Sequence, residues 1–465
     1  MKIPLPDHGL HQFLKTALQV HHRFISGGLS RAESPIYVIG NPSADLDSII
    51  SALVYSYFAN NRALRDYQRP HVPIINLDNV LAGSELRRLR PEFVKALQLA
   101  TENARNTSEA EESSMLKEHF LTVADFAAQL QQRPSRRPIQ AESVLVDWNA
   151  LPIRSSDTRR GTGSLPGLSA VEFTVVGCID HHANEKFLSS ISEAQPLVVE
   201  PAGSCTSLVV RTLEELSLWQ KANTGGSKSV SASEKQIAKL AMAPILIDTA
   251  NLTSKDKVTK FDISAYDFLL PKATTGDSSW DSSRFYTAIH ETKQNSLELL
   301  TVDEVLDRDY KEWAEKPSRT VDQAPVQIGI CSMVKSIPWV VRKAGGSAAF
   351  LDSLKQFALH RKLDIVLVMT AFSSAKEGQF SRELLAYTLN DRGVNALKSF
   401  ISQASSQLGL GEWFPLDGDD HAQDIKSRLQ SSEDGALWTR LWVQTNVAKS
   451  RKQLAPLVRD AAASL

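Results

Sequence analysis

Four short runs rich in apolar and β-branched residues recur along the chain, and each leads into aspartate. "PIYVIG" precedes Asn41, Asp45 and Asp47, and "SVLVDWN" holds Asp147. "FTVVGCIDHH" ends in Asp180, His181 and His182, and "APILIDTANL" holds Asp248. Runs of this kind read as buried strands. Helical patterns over 48–60, 204–218 and 233–242 separate them. Strand alternating with helix predicts an α/β domain on a mostly parallel sheet with helices on both faces. Ligands of such sheets gather outside the carboxyl ends of the strands, which is where these carboxylates fall. A fifth run, "VPIINLD", ends in Asp78, so the pattern alone does not select a site.

At 465 residues the chain exceeds what a single core supports, and a second start is visible. "KATTGDSSWDSS" (272–283) reads as a linker. Beyond it come a helical stretch near 285–300 and the probable-strand runs "VQIGICSM", "DIVLVMTAF" and "ELLAYTL". The expectation is an N-terminal domain over 1–271 and a smaller α/β domain with a mixed sheet over 284–465. Stretches 102–114, 154–167 and 221–233 are polar, Gly/Ser-rich loops.

A net charge of -1 argues against a generally basic nucleic-acid binder, while leaving room for a local basic patch. Cys178, Cys205 and Cys331 are widely spaced and odd in number, and no CxxC occurs. That usage fits a reducing cytosol. The opening "MKIPLPDHGLHQFLK" lacks the apolar run of a signal peptide, and runs such as "IVLVM" are too short to span a bilayer. These features predict a cytoplasmic protein with no membrane and no nucleic-acid partner, and a monomer by default.

Each motif alone has an ordinary structural explanation. Asp45 and Asp47 can cap a helix, Asp147 can end a strand in a turn, and Asp248 can bond a neighbouring loop. Adjacent histidines cannot meet one point in the same geometry, so one of His181 and His182 can bind a metal while the other faces a ligand. Asp180 can support a histidine from behind. Taken together, the strand ends offer enough oxygen and nitrogen for a two-metal site, whose ions lie ~3.5–4 Å apart. Magnesium takes oxygen ligands, and manganese tolerates a mixed carboxylate and imidazole set. The basic "KSRK" near the C-terminus, with Lys449, Arg451 and Lys452, supplies what bare carboxylates cannot, a grip on phosphate oxygens. Its ordinary reading is a solvated charged turn. Lys335, Arg342, Lys343 and Arg382 are weaker candidates for holding further phosphates.

"GNPSADLDS", "LVDWN", "IDHHANE" and "LIDTANL", in that order, resemble the four motifs of the DHH phosphoesterase superfamily. "SRKQLAP" resembles the substrate-clamping motif of the branch that includes family II inorganic pyrophosphatases. Within that branch the chain is most similar to cytosolic exopolyphosphatases of the fungal type, with prune-type proteins as near relatives. The resemblance implies two divalent cations, Mg2+ or Mn2+. Asp45 and Asp147 match ligands of one, with Asn41 where family II pyrophosphatases carry a histidine. Asp47, Asp147, His181 and Asp248 match ligands of the other, so Asp147 would bridge. It further implies that His182 faces the phosphate, that Asp180 supports the site, and that Arg451 and Lys452 hold substrate. Asparagine at 41 and histidine at 182 both favour an exopolyphosphatase acting on inorganic polyphosphate. The alternatives are an inorganic pyrophosphatase or a prune-type phosphoesterase of nucleotides or short-chain polyphosphate. Asp78 matches no ligand position, whereas Asn76 matches part of a family motif.

Overall fold

The computed structural model describes residues 9–60, 69–101, 108–133, 138–155, 161–188, 195–222, 230–277, 279–318, 324–373, 378–415, 422–430 and 438–465. The chain divides into two compact units, Met1–Ser296 and Leu297–Leu465. Composition marks 272–283 as the break, but the helix Ser282–Asn295 packs against the helices Pro91–Thr101 and Ala232–Asp248 of the first unit. The division by contact therefore falls one helix later.

In the first unit, β1 (Ile36–Ile39) lies between β2 (His71–Ile74) and β3 (Ile139–Val146), parallel to both. A hairpin of β4 (Ile153–Arg154) and β5 (Thr162–Ser164) runs antiparallel along β6 (Val171–Asp180). β6 is itself parallel to β3, and a short β7 (Leu197–Val199) continues the parallel set beside its end. The result is a mostly parallel seven-stranded sheet.

All four residues of β1 are buried, as expected for a strand covered on both faces. Tyr37 and Ile39 join a core with Ala17 and Ile25 of the helix Leu10–Ile25 and with Phe126 of the helix Val123–Gln131. Ile36 and Val38 point to the opposite face, where the helix Leu46–Ala59 packs on β1 and β2. Trp148, just past β3, is buried and donates its indole N–H to the Ile39 carbonyl at 2.8 Å. It thereby ties the ends of β1 and β3 together.

Parallel register sets what leaves the sheet at one edge. Ile39 is level with Leu145, and Leu145 with Cys178. The Asn41–Asp47 loop, Asp147 and the Asp180–His182 segment therefore start side by side.

The fourth run departs from the sequence expectation. "APILID" is not a strand but the last turns of the helix Ala232–Asp248. Residues 237–246 of that helix are buried throughout and all but Lys239 are apolar, so no amphipathic stripe marks it. A short apolar run of that kind cannot be told from a strand by periodicity.

The second unit holds a six-stranded mixed sheet. Its elements are β8 (Tyr310–Glu315), β9 (Val326–Met333), β10 (Ile365–Thr370), β13 (Glu383–Thr388), β14 (Leu410–Glu412) and β15 (Trp438–Gln444), with a side hairpin of β11 (Phe372–Ser373) and β12 (Phe380–Ser381). Only the β9–β10 pair is parallel among the described strands of this sheet. The helices Asp391–Leu408 and Arg451–Ala463 supply Phe400, Leu454 and Val458 to its core. Among the described residues no helix is long and apolar enough to cross a membrane.

Gly40 lies where β1 gives way to the Asn41–Asp47 loop. A Cβ there would stand 2.7 Å from Ser48 Cβ and 2.9 Å from the Ser48 carbonyl oxygen. Gly40→Ala should therefore destabilise the first unit by about 1–3 kcal/mol, read as a lower midpoint in urea. An unchanged midpoint would show that the loop and helix yield freely at this point.

Candidate metal centre

Asp147 directly follows β3 with φ of 63°, a left-handed conformation rare for residues with side chains and better tolerated by aspartate. The cost, about 1–3 kcal/mol, is the kind stored where geometry serves a site. Its amide still donates to the Ile179 carbonyl at 3.0 Å. The two carboxylate oxygens then have different surroundings. Oδ2 accepts from Asn41 Nδ2 and from Ser48 Oγ, each at 2.6 Å. Oδ1 faces His181 Nε2 at 3.0 Å and His182 Nδ1 at 3.6 Å. Asp147, His181 and His182 form one compact group of metal-capable side chains.

The histidines are held differently. His181 Nδ1 lies 3.0 Å from the Ala202 carbonyl. A carbonyl only accepts, so Nδ1 carries the hydrogen and Nε2 of the neutral ring presents its lone pair toward Asp147. His182 Nδ1 instead lies 2.8 Å from Asp180 Oδ1. Asp180 is wholly buried, and Oδ1 also accepts the His181 amide at 2.8 Å. Its Oδ2 takes Asn149 Nδ2 at 2.5 Å, and Asn149 Oδ1 accepts the Glu185 amide at 2.7 Å. Asp180 thus backs the His182 ring and the main chain of His181.

Asp47 sits in the first turn of the helix Leu46–Ala59, and its Oδ2 is 4.0 Å from His181 Nε2. Donors at the start of the helix Cys205–Glu215 surround it: Ser204 Oγ at 2.8 Å, Thr206 N at 2.9 Å and Thr206 Oγ1 at 2.7 Å on Oδ1, and Cys205 N at 2.6 Å on Oδ2. Burial, and next the Asp147 charge, still push its carboxyl up to about 6. Asp45 caps the same helix as Asp47, accepting the Ser48 amide at 3.0 Å. Asp248 ends its helix half-buried, ahead of Ala250, Asn251 and Leu252 with φ of 50°, 57° and 61°. Desolvation, then Asp47, raise its carboxyl well above the usual range.

The residues present fit a divalent cation. His181 Nε2, its ring fixed from behind, faces Asp147 Oδ1 at 3.0 Å and Asp47 Oδ2 at 4.0 Å, and buried carboxylates sharing one site favour a positive charge among them. Cys205 is not part of the donor set: its sulfur points to the Ile179 carbonyl, and burial keeps it a thiol. Asn41 differs from the expected oxygen ligand. Its Oδ1 accepts from Ser43, and its Nδ2 is what meets Asp147. Ser48, Asn149 and Ser204–Thr206 belong to the network and were not singled out from sequence. Ser48 stands inside "ADLDS", where it reads as a helix cap; the others carry no local signal.

In the second unit, Arg451 starts the helix Arg451–Ala463 and binds Asp309 twice, Nη1 to the carbonyl at 2.7 Å and Nη2 to Oδ1 at 2.6 Å. Lys452 is exposed on the same turn. Lys335 and Lys343 flank the Trp339 ring and approach Glu298, at 3.8 Å to Oε1 and 3.1 Å to the carbonyl. Arg342 is exposed on the helix Ile337–Ala344. Arg382 differs from an exposed phosphate-holding side chain: it is buried, donates to the Val447 carbonyl at 2.7 Å and the Thr370 carbonyl at 3.3 Å, and desolvation pulls its guanidinium down to about 10.

Comparison with known proteins finds two domain models in order along the chain. The model of the "DHH family, N-terminal domain" matches residues 35–245, and that of the "DHHA2 domain" matches 287–461. A Schizosaccharomyces pombe protein named "Putative exopolyphosphatase" is 28% identical over 435 residues, covering 93% of this chain and 92% of its own. A crystal structure described as a Methanococcus jannaschii "putative family II inorganic pyrophosphatase" aligns over 91% of this chain and 98% of that one. Its TM-score is 0.50 at 16% identity, a likeness of fold. With both domain models matched in order along one chain, the protein belongs to the DHH superfamily, as a DHH domain followed by a DHHA2 domain.

Proposed function

We propose that this protein is a metal-dependent exopolyphosphatase that hydrolyses the terminal phosphate from linear inorganic polyphosphate. The observation that carries the reading is the convergence of Asp147 Oδ1, His181 Nε2 and Asp47 Oδ2, with His182 beside them and backed by a buried carboxylate. The name of the yeast relative, which spans nearly the same length, supports polyphosphate as substrate.

Asp47, Asp147 and His181, with Asp45 and Asp248, would hold two divalent cations, magnesium or manganese. When bound, these supply an acidified water and offset the charge of the phosphate. The chain's own part is positioning and proton handling. Asp180 accepts from His182 Nδ1, so it favours the imidazolium and aims Nε2 away from the support. His182 would then give its Nε2 proton to the bridging oxygen as water attacks the terminal phosphorus and that P–O bond breaks, and the proton lost by the water would restore the imidazolium. Arg451 and Lys452 would hold phosphate oxygens; the contact with Asp309 uses two of the five arginine N–H donors. The buried, unbridged Cys178, Cys205 and Cys331 fit a reducing compartment.

Purified protein with magnesium should release orthophosphate from long polyphosphate and tripolyphosphate, and not from pyrophosphate, cyclic AMP or single-stranded DNA. Activity confined to pyrophosphate or DNA would refute the proposal. Asp147→Asn should abolish turnover, and His182→Gln should lower kcat by roughly 100- to 10,000-fold; near-normal rates would remove them from these roles.

The pH dependence of metal stabilisation has a definite sign. The folded Asp47 carboxyl, at about 6, titrates above its unfolded value. The cation-free protein therefore loses this group's contribution as pH rises through about 6. A cation cancels that cost, so manganese should raise the melting temperature more at about pH 7.5 than at about pH 5. An equal or smaller rise at the higher pH would contradict the assignment of Asp47.

A further inference from the structure

We infer that Asp262 is a positioning residue for the metal centre, fixing the first turn of the helix Cys205–Glu215 and through it the Asp47 carboxylate. The inference rests on Asp47 being a cation ligand. Among the described residues, four of the five hydrogen bonds to the Asp47 carboxylate, and the four shortest, come from three consecutive residues, Ser204, Cys205 and Thr206; the fifth is from Ser51 Oγ at 3.4 Å. One of them, the Cys205 amide, binds the same Oδ2 that faces His181. Wherever that turn sits, the ligand oxygen follows.

The turn is held from elsewhere in the chain. Asp262 is wholly buried. Its Oδ1 accepts from Ser204 N at 3.1 Å and Ser207 Oγ at 2.7 Å, and its Oδ2 accepts from Gly203 N at 2.9 Å. Oδ2 also takes Thr259 N at 2.7 Å and Thr259 Oγ1 at 2.8 Å, closing the capping box of the helix Lys260–Ala273. A capping box asks only for the Thr259 contacts. The three from Gly203, Ser204 and Ser207, 55 to 59 residues away, serve something more.

Gly203 shows how close the approach is. A Cβ there would lie 2.7 Å from Asp262 Oδ2, 2.7 Å from Thr249 Cγ2 and 2.9 Å from the Lys257 carbonyl oxygen. Thr249 directly follows Asp248. Asp262 therefore clasps the turn that holds Asp47 against the segment that carries Asp248. Two acidic residues brought in by different helices take their spacing from this junction.

The test is titration of the full-length, metal-free protein with manganese by calorimetry, with a melting temperature for every variant. Asp262→Asn replaces an acceptor oxygen with an amide that faces donors, and should weaken manganese binding about 10–100-fold. Ser207→Ala removes one contact and should weaken it in the same direction by less, so the inference stays testable if Asp262→Asn does not fold. Asp281→Ala removes a helix cap in the same unit, the acceptor of the Arg284 amide, and should lower the melting temperature with affinity unchanged. Folded Asp262→Asn or Ser207→Ala protein with wild-type affinity would overturn the inference alone. Wild-type protein that binds no manganese would overturn the metal-centre reading and this inference with it.

Discussion

The structure of the first unit turns on how one carboxylate is divided. Asp147 Oδ2 is anchored by Asn41 and Ser48, which come from the loop and helix that follow β1. Oδ1 is left facing two imidazoles. The anchoring joins the first motif to the second, and the parallel register of β1, β3 and β6 brings the third alongside. Without Ser48 and Asn41 the carboxylate would be free to rotate, and with it the point on which the site converges. Asp47, itself raised by burial and by Asp147, shares the same low-dielectric space. Anions so placed favour a cation more strongly than each other. Folding and ligand binding are therefore linked at this point.

The paired histidines answer to different partners, and that sets different chemistry. A carbonyl behind His181 fixes a tautomer without adding charge, which suits a neutral ring with its lone pair forward. A carboxylate behind His182 stabilises the charged ring, which suits proton donation. The rings stand nearly perpendicular, at 81°, so neighbours in sequence point in different directions. Asp180 can be buried without loss because it accepts from His182, from the His181 amide and from Asn149.

Much of this was legible in sequence, and the misses have physical causes. β1 and the ends of β3 and β6 announce themselves because strand segments covered on both faces are buried at successive positions. The same rule misled at Asp248, since a helix buried all round is just as apolar, and Pro244 within it reads locally as a boundary. The polar stretch over 272–283 precedes a helix that packs with the first unit by contact, while the DHHA2 match begins inside that helix at 287. Arg382 carries a charge that reads as surface, while its guanidinium is spent on two main-chain carbonyls. Ser204–Thr206 and Asp262 act across tens of residues to more than 150, beyond any local pattern. The order of the four acidic motifs, by contrast, was enough to point to the family that the domain matches show.

The central claim is that Asp147 Oδ1, His181 Nε2 and Asp47 Oδ2 converge on cations. Anomalous diffraction at the manganese edge, from crystals grown with manganese, tests it most directly. The account predicts two peaks about 3.5–4 Å apart, with Asp147 contacting both and His181 Nε2 contacting one. Peaks elsewhere in the molecule, or none within reach of Asp147, would contradict it.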